Sequence, residues 1–256
     1  MPTLAAFLNL VLGVSLLILA TYGLRALWVR AVPPRVLAYM IAPGVAVHEL
    51  SHALACVLTG AKVHSMVLFR SDGSGEVKHG PPKLKYVGDV AISLAPLLGC
   101  TLCLLLLGML LRAPVNFYSV KAEGVHANQL MFAASLATLV WDDMVLFFKA
   151  SALLDWRTWV FLYFAMCFTL GMAPSRQDLK NGSLGLLVIC GIVLVLHLVI
   201  DRLFKAGTDG PVFAFIGNLL IKLHYPLAVC ALSLLLCGVV YLAGMPFRIR
   251  KRRRRR

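Results

Sequence analysis

The chain has 256 residues, of which 60% are hydrophobic and only 14% charged, with a mean hydropathy of +0.85. That composition excludes an ordinary soluble domain and points to a polytopic membrane protein. The net charge is +14, but Arg248–Arg256 carries eight basic residues, which leaves +6 for everything else. A terminal basic run beside a membrane helix is a topology signal and a binder of anionic lipid, with an artificially appended run as the alternative. With no aromatic interleaving or DNA-binding motif beside it, nucleic acid is not an expected partner.

Seven apolar stretches span a bilayer or nearly so: Leu4–Tyr22, Val36–Leu58, Val87–Leu111, Leu130–Phe148, the short Trp159–Met172, Leu184–Phe204 and Leu223–Ala243. The expected fold is an all-α polytopic membrane protein of six or seven transmembrane helices. It forms one integral-membrane domain over 1–256, with a core over 36–204 and a basic tail over 248–256. The first helix lacks a basic n-region and a small-residue cleavage pattern and reads as retained. No connecting stretch accommodates a soluble module of about 80 residues. All seven cysteines lie in apolar segments and read as packing residues rather than a disulfide framework. The tail is expected in the cytoplasm, and the protein in the cell membrane of a prokaryote.

Arg25 to Arg35, with Pro33-Pro34, reads as a basic turn. The second span then holds Val47-His48-Glu49-Leu50-Ser51-His52, a HExxH pattern whose only charge in Val36–Leu58 is Glu49. Helical residues four apart lie about 40° apart around the axis, so His48 and His52 point the same way and can grip one Zn²⁺ through ring nitrogens. Glu49 falls beside them, placed to take a proton from a zinc-bound water. Composition makes such a match by chance a roughly 0.002 event, so the pattern is signal. Burying these groups in a span costs several kcal/mol on insertion scales and marks a polar site by default. Pro43 and Gly44 sit where a missing amide and a flexible residue predict a bend.

Lys62–Arg70 alternates polar and apolar residues, Ser71 to Gly75 supplies turn chemistry, and Glu76–His79 returns, which predicts a short β-hairpin after the HExxH helix. An ordinary connector and an exposed edge that adds an extended substrate strand are both open readings. In the third span, Pro96 within Ala95-Pro96-Leu97 predicts a kink and an exposed carbonyl. The fourth span carries Asp142 and Asp143, about 100° apart around the axis.

A two-histidine zinc site needs a third protein ligand and an open position for water. Leu170 to Gly182 sets helix-breaking residues on both sides of Asp178, and Asp178 is the expected third ligand. A cap for the next helix is the competing reading of Asp178, and Glu76, Asp142 and Asp143 are alternative ligands.

These residues together resemble the site-2 protease (M50) family of membrane-embedded zinc metalloproteases. The family carries HExxH within a membrane helix and, on a later helix, an Asp after a break of the type NxxPxPxLDG. HELSH at His48–His52 matches fully. Pro174, Asp178 and Gly182 follow the second mark in outline, with Gly171 where an Asn would stand and Leu179-Lys180-Asn181 between Asp178 and Gly182. Ala95-Pro96-Leu97 is similar to the Gly-Pro-Leu of the intervening helix. The resemblance implies Zn²⁺ as cofactor, transmembrane proteins as substrates, and cleavage of peptide bonds in or near their membrane segments. A catalytically inactive metal-binding scaffold or chaperone and an ion-coupled transporter are the readings from other classes.

Overall fold

A computed structural model describes residues 2–111, 128–150, 154–180, 182, 195 and 223–253. They are mostly helical: α1 (Pro2–Ala31), α2 (Pro34–Met40), α3 (Ala42–Thr59), α4 (Lys85–Leu111), α5 (Gln129–Ala150), α6 (Trp156–Gly171) and α7 (His224–Arg253), with strands β1 (Val63–Val67) and β2 (Glu76–His79). Four described helices are long and apolar enough to cross a membrane, or five if the bent pair α2 and α3 forms one span. At 16 residues α6 is short, and the expected span Leu184–Phe204 lies outside the described residues apart from Val195.

Two expectations need correction. The helix α1 runs through Arg25 and Arg30 to Ala31, so the basic turn shrinks to the two residues before Pro34. Nothing before Pro33 breaks a helix, and Trp28 and Ala31 are held in the core. The bend in the HExxH span falls at Ile41, where α2 and α3 meet at 59°, and not at Pro43-Gly44. Pro43 lies in the first turn of α3, where its missing amide is tolerated, while its ring and absent donor disrupt the turn before it. The Met40 carbonyl at the end of α2 accepts from α6, from the Tyr163 hydroxyl and the Cys167 thiol, each at 3.1 Å.

The helix α3 packs chiefly on α4 and α6, and α7 packs on α1, α5 and α6. Leu50, Leu54, Val57 and Leu58 recur at helical spacing on the exposed face of α3, where Leu58 is 78% exposed. Glu49, Ser51 and His52 occupy the buried face. In lipid, such an arrangement turns the apolar stripe outward and the polar stripe inward. Small residues set the approach of the neighbouring helices. A Cβ on Gly44 would strike the Cys167 carbonyl of α6, and one on Gly171 would lie 2.6 Å from the Gly44 carbonyl oxygen. On the other side, a Cβ on Gly99 of α4 would strike the Ser51 hydroxyl.

The expected hairpin is present: β1 and β2 pair antiparallel, with Val67 opposite Glu76, Met66 opposite Val77, and an irregularity at His64. Gly73, with φ of 82°, adopts a turn conformation that favours glycine and packs on Ala38 of α2. Phe69 lies against Tyr39 with centroids 5.8 Å apart, so the hairpin is fastened to α2.

Gly44→Val should lower stability by about 3 kcal/mol, because its branched side chain meets helix backbone rather than a flexible side chain. Gly23, whose Cβ position has nothing within 4 Å, is the control, and its Val variant should change stability by no more than about 1 kcal/mol. Unfolding midpoints in detergent measure both, and equal effects would show that α3 and α6 have room to separate.

Candidate metal centre

On α3, one helical turn brings the His48 and His52 rings edge to face, with centroids 4.7 Å apart. Their Nε2 atoms are 3.1 Å apart. Asp178 completes a triangle, with Oδ1 3.5 Å from His52 Nε2 and Oδ2 3.8 Å from His48 Nε2. Zinc ligands at 2.0–2.2 Å in a tetrahedron stand about 3.4 Å from each other, so separations of 3.1, 3.5 and 3.8 Å between the two nitrogens and the two carboxylate oxygens are of the right size for one shared ion. One ligand atom from each of the three residues lies within 4.8 Å of the other two, the one such group among the described residues.

The other side of each ring argues for a cation. His48 Nδ1 donates to the Gly171 carbonyl at 2.6 Å, and His52 Nδ1 donates to the Ile92 carbonyl at 2.8 Å. A carbonyl oxygen carries no hydrogen, so Nδ1 is the protonated nitrogen in both rings. With both rings neutral, two Nε2 lone pairs and a carboxylate face one another, three acceptors without a donor. A shared divalent ion relieves that convergence, and backbone carbonyls behind metal-binding imidazoles are the usual orienting partners. These residues fit a zinc ion.

Asp178 is held by the restart of the helix after α6. That helix ends at Gly171, and regular helix resumes over 176–180. Ser175 and Asp178 form a reciprocal capping box: the Ser175 amide donates to Asp178 Oδ2 at 2.7 Å, and the Asp178 amide donates to Ser175 Oγ at 3.1 Å. Asp178 therefore caps a helix and faces the histidines with one carboxylate. The Tyr22 hydroxyl of α1 donates to the Pro174 carbonyl and ties the break to a third helix.

The alternative ligands lie elsewhere. Glu76 accepts from Arg70 at 2.5 Å and has Lys78 at 3.7 Å, on an exposed part of the hairpin. The Arg70 guanidinium holds its carboxyl below the ordinary carboxylate range. Asp143 is buried and faces His224 of α7 at 3.5 Å, while Asp142 is exposed. His79 Nδ1 donates to the Gly80 carbonyl at 2.8 Å.

Glu49 is only 7% exposed, and the hairpin covers it. A Cβ on Gly75 would collide with the Glu49 side chain, lying 2.8 Å from Cδ and Oε1. The turn thus reaches the carboxylate because residue 75 has no side chain. Residue type signals neither this contact nor the Gly171 carbonyl, whereas Pro96 marks the carbonyl four residues before it as open. The Ser175–Asp178 capping box is visible in the sequence as S-x-x-D.

His48→Ala, His52→Ala and Asp178→Ala should each weaken zinc binding by more than about 100-fold, the upper range for loss of a mere outer-shell partner. Asp143→Ala and Glu76→Ala should retain full zinc. Metal analysis of the purified variants tests this, and full occupancy in Asp178→Ala would remove Asp178 from the ligand set.

No curated protein and no solved structure matches the chain. The model of the family described as Peptidase M50B-like matches residues 18–210, a range that includes His48, Glu49, His52 and Asp178. With several apolar helices of membrane-crossing length and a triad able to hold a metal, the match identifies this integral membrane protein as a member of the Peptidase M50B-like family.

Proposed function

We propose that the protein is an intramembrane zinc metalloprotease that hydrolyses peptide bonds in or near the transmembrane segments of other membrane proteins. The observation that carries this reading is the convergence of His48 Nε2, His52 Nε2 and an Asp178 carboxylate oxygen, with Glu49 one residue along the same helix. Family membership supports it. In the full reading, six or seven spans form one domain over 1–256. The basic tail lies in the cytoplasm against anionic lipid of the cell membrane, and nucleic acid plays no part.

When bound, zinc acidifies a water toward neutral pH and polarises the scissile carbonyl. His48 and His52 hold their ligand nitrogens in place through the Gly171 and Ile92 carbonyls, and Asp178 is held through Ser175. Glu49 takes the proton of the attacking water and delivers it to the leaving amine as the C–N bond breaks. The hairpin cover limits water around the carboxylate and leaves the outer edge of β1 unpaired among the described strands. A helical substrate hides its peptide groups, so it unwinds locally, and that edge is suited to hold the extended segment by backbone pairing. A scaffold that only binds metal has no need of Glu49.

Glu49→Gln should reduce cleavage of a membrane substrate by at least about 100-fold while keeping about one zinc per chain, because the amide cannot act as the base and both imidazoles remain. Undiminished cleavage would sink this mechanism. Gly75→Ala should lower the rate by up to about 100-fold with zinc retained, through displacement of Glu49. The comparison is Gly80→Ala, whose Cβ meets nothing closer than 3.4 Å. Equal rates for these two glycine variants would show that the hairpin contact does not position the base.

A further inference from the structure

We propose that Pro96 is a positioning residue for the metal centre: it leaves the Ile92 carbonyl without a helix partner, and that carbonyl fixes the His52 ring with Nε2 toward His48 and Asp178. The inference rests on the reading that this triad holds zinc.

The helix α4 runs from Lys85 to Leu111 with Pro96 inside it. In an α-helix the amide of residue i pairs with the carbonyl of residue i−4, so the partner of the Ile92 carbonyl would be the amide of residue 96. Proline has none. Ile92 is 4% exposed, in the layer where α4 packs on α3, and a carbonyl left unpaired there is costly. The hydrogen it accepts comes from His52 Nδ1, at 2.8 Å. The sequence offset of four and the spatial contact coincide, which ties a helix-breaking residue on one span to a metal-binding residue on another.

The arrangement at His48 has the same logic. Its acceptor is the carbonyl of Gly171, the last residue of α6. The amide four residues on belongs to Ser175 and donates to Asp178 instead. Both imidazoles are therefore oriented by carbonyls that the helical pattern leaves open. At Gly171 the opening comes from a helix end, and at Ile92 from a single proline. The close approach of Gly99 to Ser51 holds α4 against α3 at this level. Such an acceptor sets which ring nitrogen is free for the metal and raises its basicity.

The test uses the full chain in lipid nanodiscs. Pro96→Ala returns an amide that competes for the Ile92 carbonyl. Its zinc affinity should fall about tenfold or more, the range for loss of an outer-shell partner. In metal-free protein, ring nitrogen shifts should show His52 no longer held as one Nδ1–H tautomer. The unfolding midpoint should not fall, because the helix gains a bond, whereas a purely structural role predicts that it falls with affinity. Installing lactic acid at position 96 gives the alanine side chain on an ester without N–H, and should restore both tautomer and affinity. Unchanged affinity and tautomer in Pro96→Ala would overturn the proposal. So would an ester variant as weak as the alanine variant, since ring shape would then be the cause. If Pro96→Ala does not accumulate, the ester variant decides alone: near wild-type affinity supports the role and lost affinity overturns it. A wild-type chain that binds no zinc defeats the metal reading instead, and the tautomer comparison still reads the hydrogen bond.

Discussion

Three acceptors converge between α3 and the helical turn after α6, and the rest of the structure depends on holding them there. Two imidazole lone pairs and a carboxylate repel one another unless a cation lies between them, and hydrocarbon offers no water to separate them. Each is therefore anchored from behind: His48 by the Gly171 carbonyl, His52 by the Ile92 carbonyl, and Asp178 by the Ser175 amide. All three anchors involve backbone groups at places where regular helix stops or is interrupted. Irregular backbone at membrane depth is tolerated where protein covers it, and here the same irregularity is what orients the three side chains.

Those anchors need close helix contacts. Gly44 and Gly171 let α3 and α6 meet backbone to backbone one turn from His48, and Gly99 brings α4 against Ser51 one residue from His52. Apolar burial gives little drive to helix association in lipid, so small-residue packing and internal hydrogen bonds carry it. Asp143 and His224, 3.5 Å apart and almost fully buried, bring polar groups of α5 and α7 face to face. The acid looks like a spare metal ligand in the sequence, and in the fold it faces a histidine of another helix.

The hairpin couples the site to the bent entry of its own helix. Gly73 rests on Ala38 of α2 and Phe69 on Tyr39, while Gly75 reaches Glu49 at the level of the metal triad. A shift of α2 relative to α3 about Ile41 would therefore move the turn that covers Glu49. Arg70 and Glu76 close that turn with an exposed ion pair, which adds little stability by itself because water and salt screen it. The rigid part of the contact is steric.

Much of this protein is written in local sequence. Hydropathy alone marks the four described helices of membrane-crossing length, and the HExxH period marks the two histidines, because both depend on neighbours along one helix. Turn chemistry marks the hairpin, and the S-x-x-D box at Ser175 marks the restart of helix after α6. Pro43 announces a bend but not its place, since a proline disrupts the turn before it and the break falls at Ile41. Sequence alone offers Asp178, Glu76, Asp142 and Asp143 as partners for the two histidines, and it is the packing that places Asp178 beside them. Residues 48 and 178 are 130 positions apart, and the glycine contacts that bring their helices together have no periodic signature. The same holds for Ile92, which reads as an ordinary lipid-span isoleucine until α3 and α4 are packed. Its role comes from a carbonyl left open four residues before a proline, and a backbone group's role depends on which helix lies beside it rather than on its side chain.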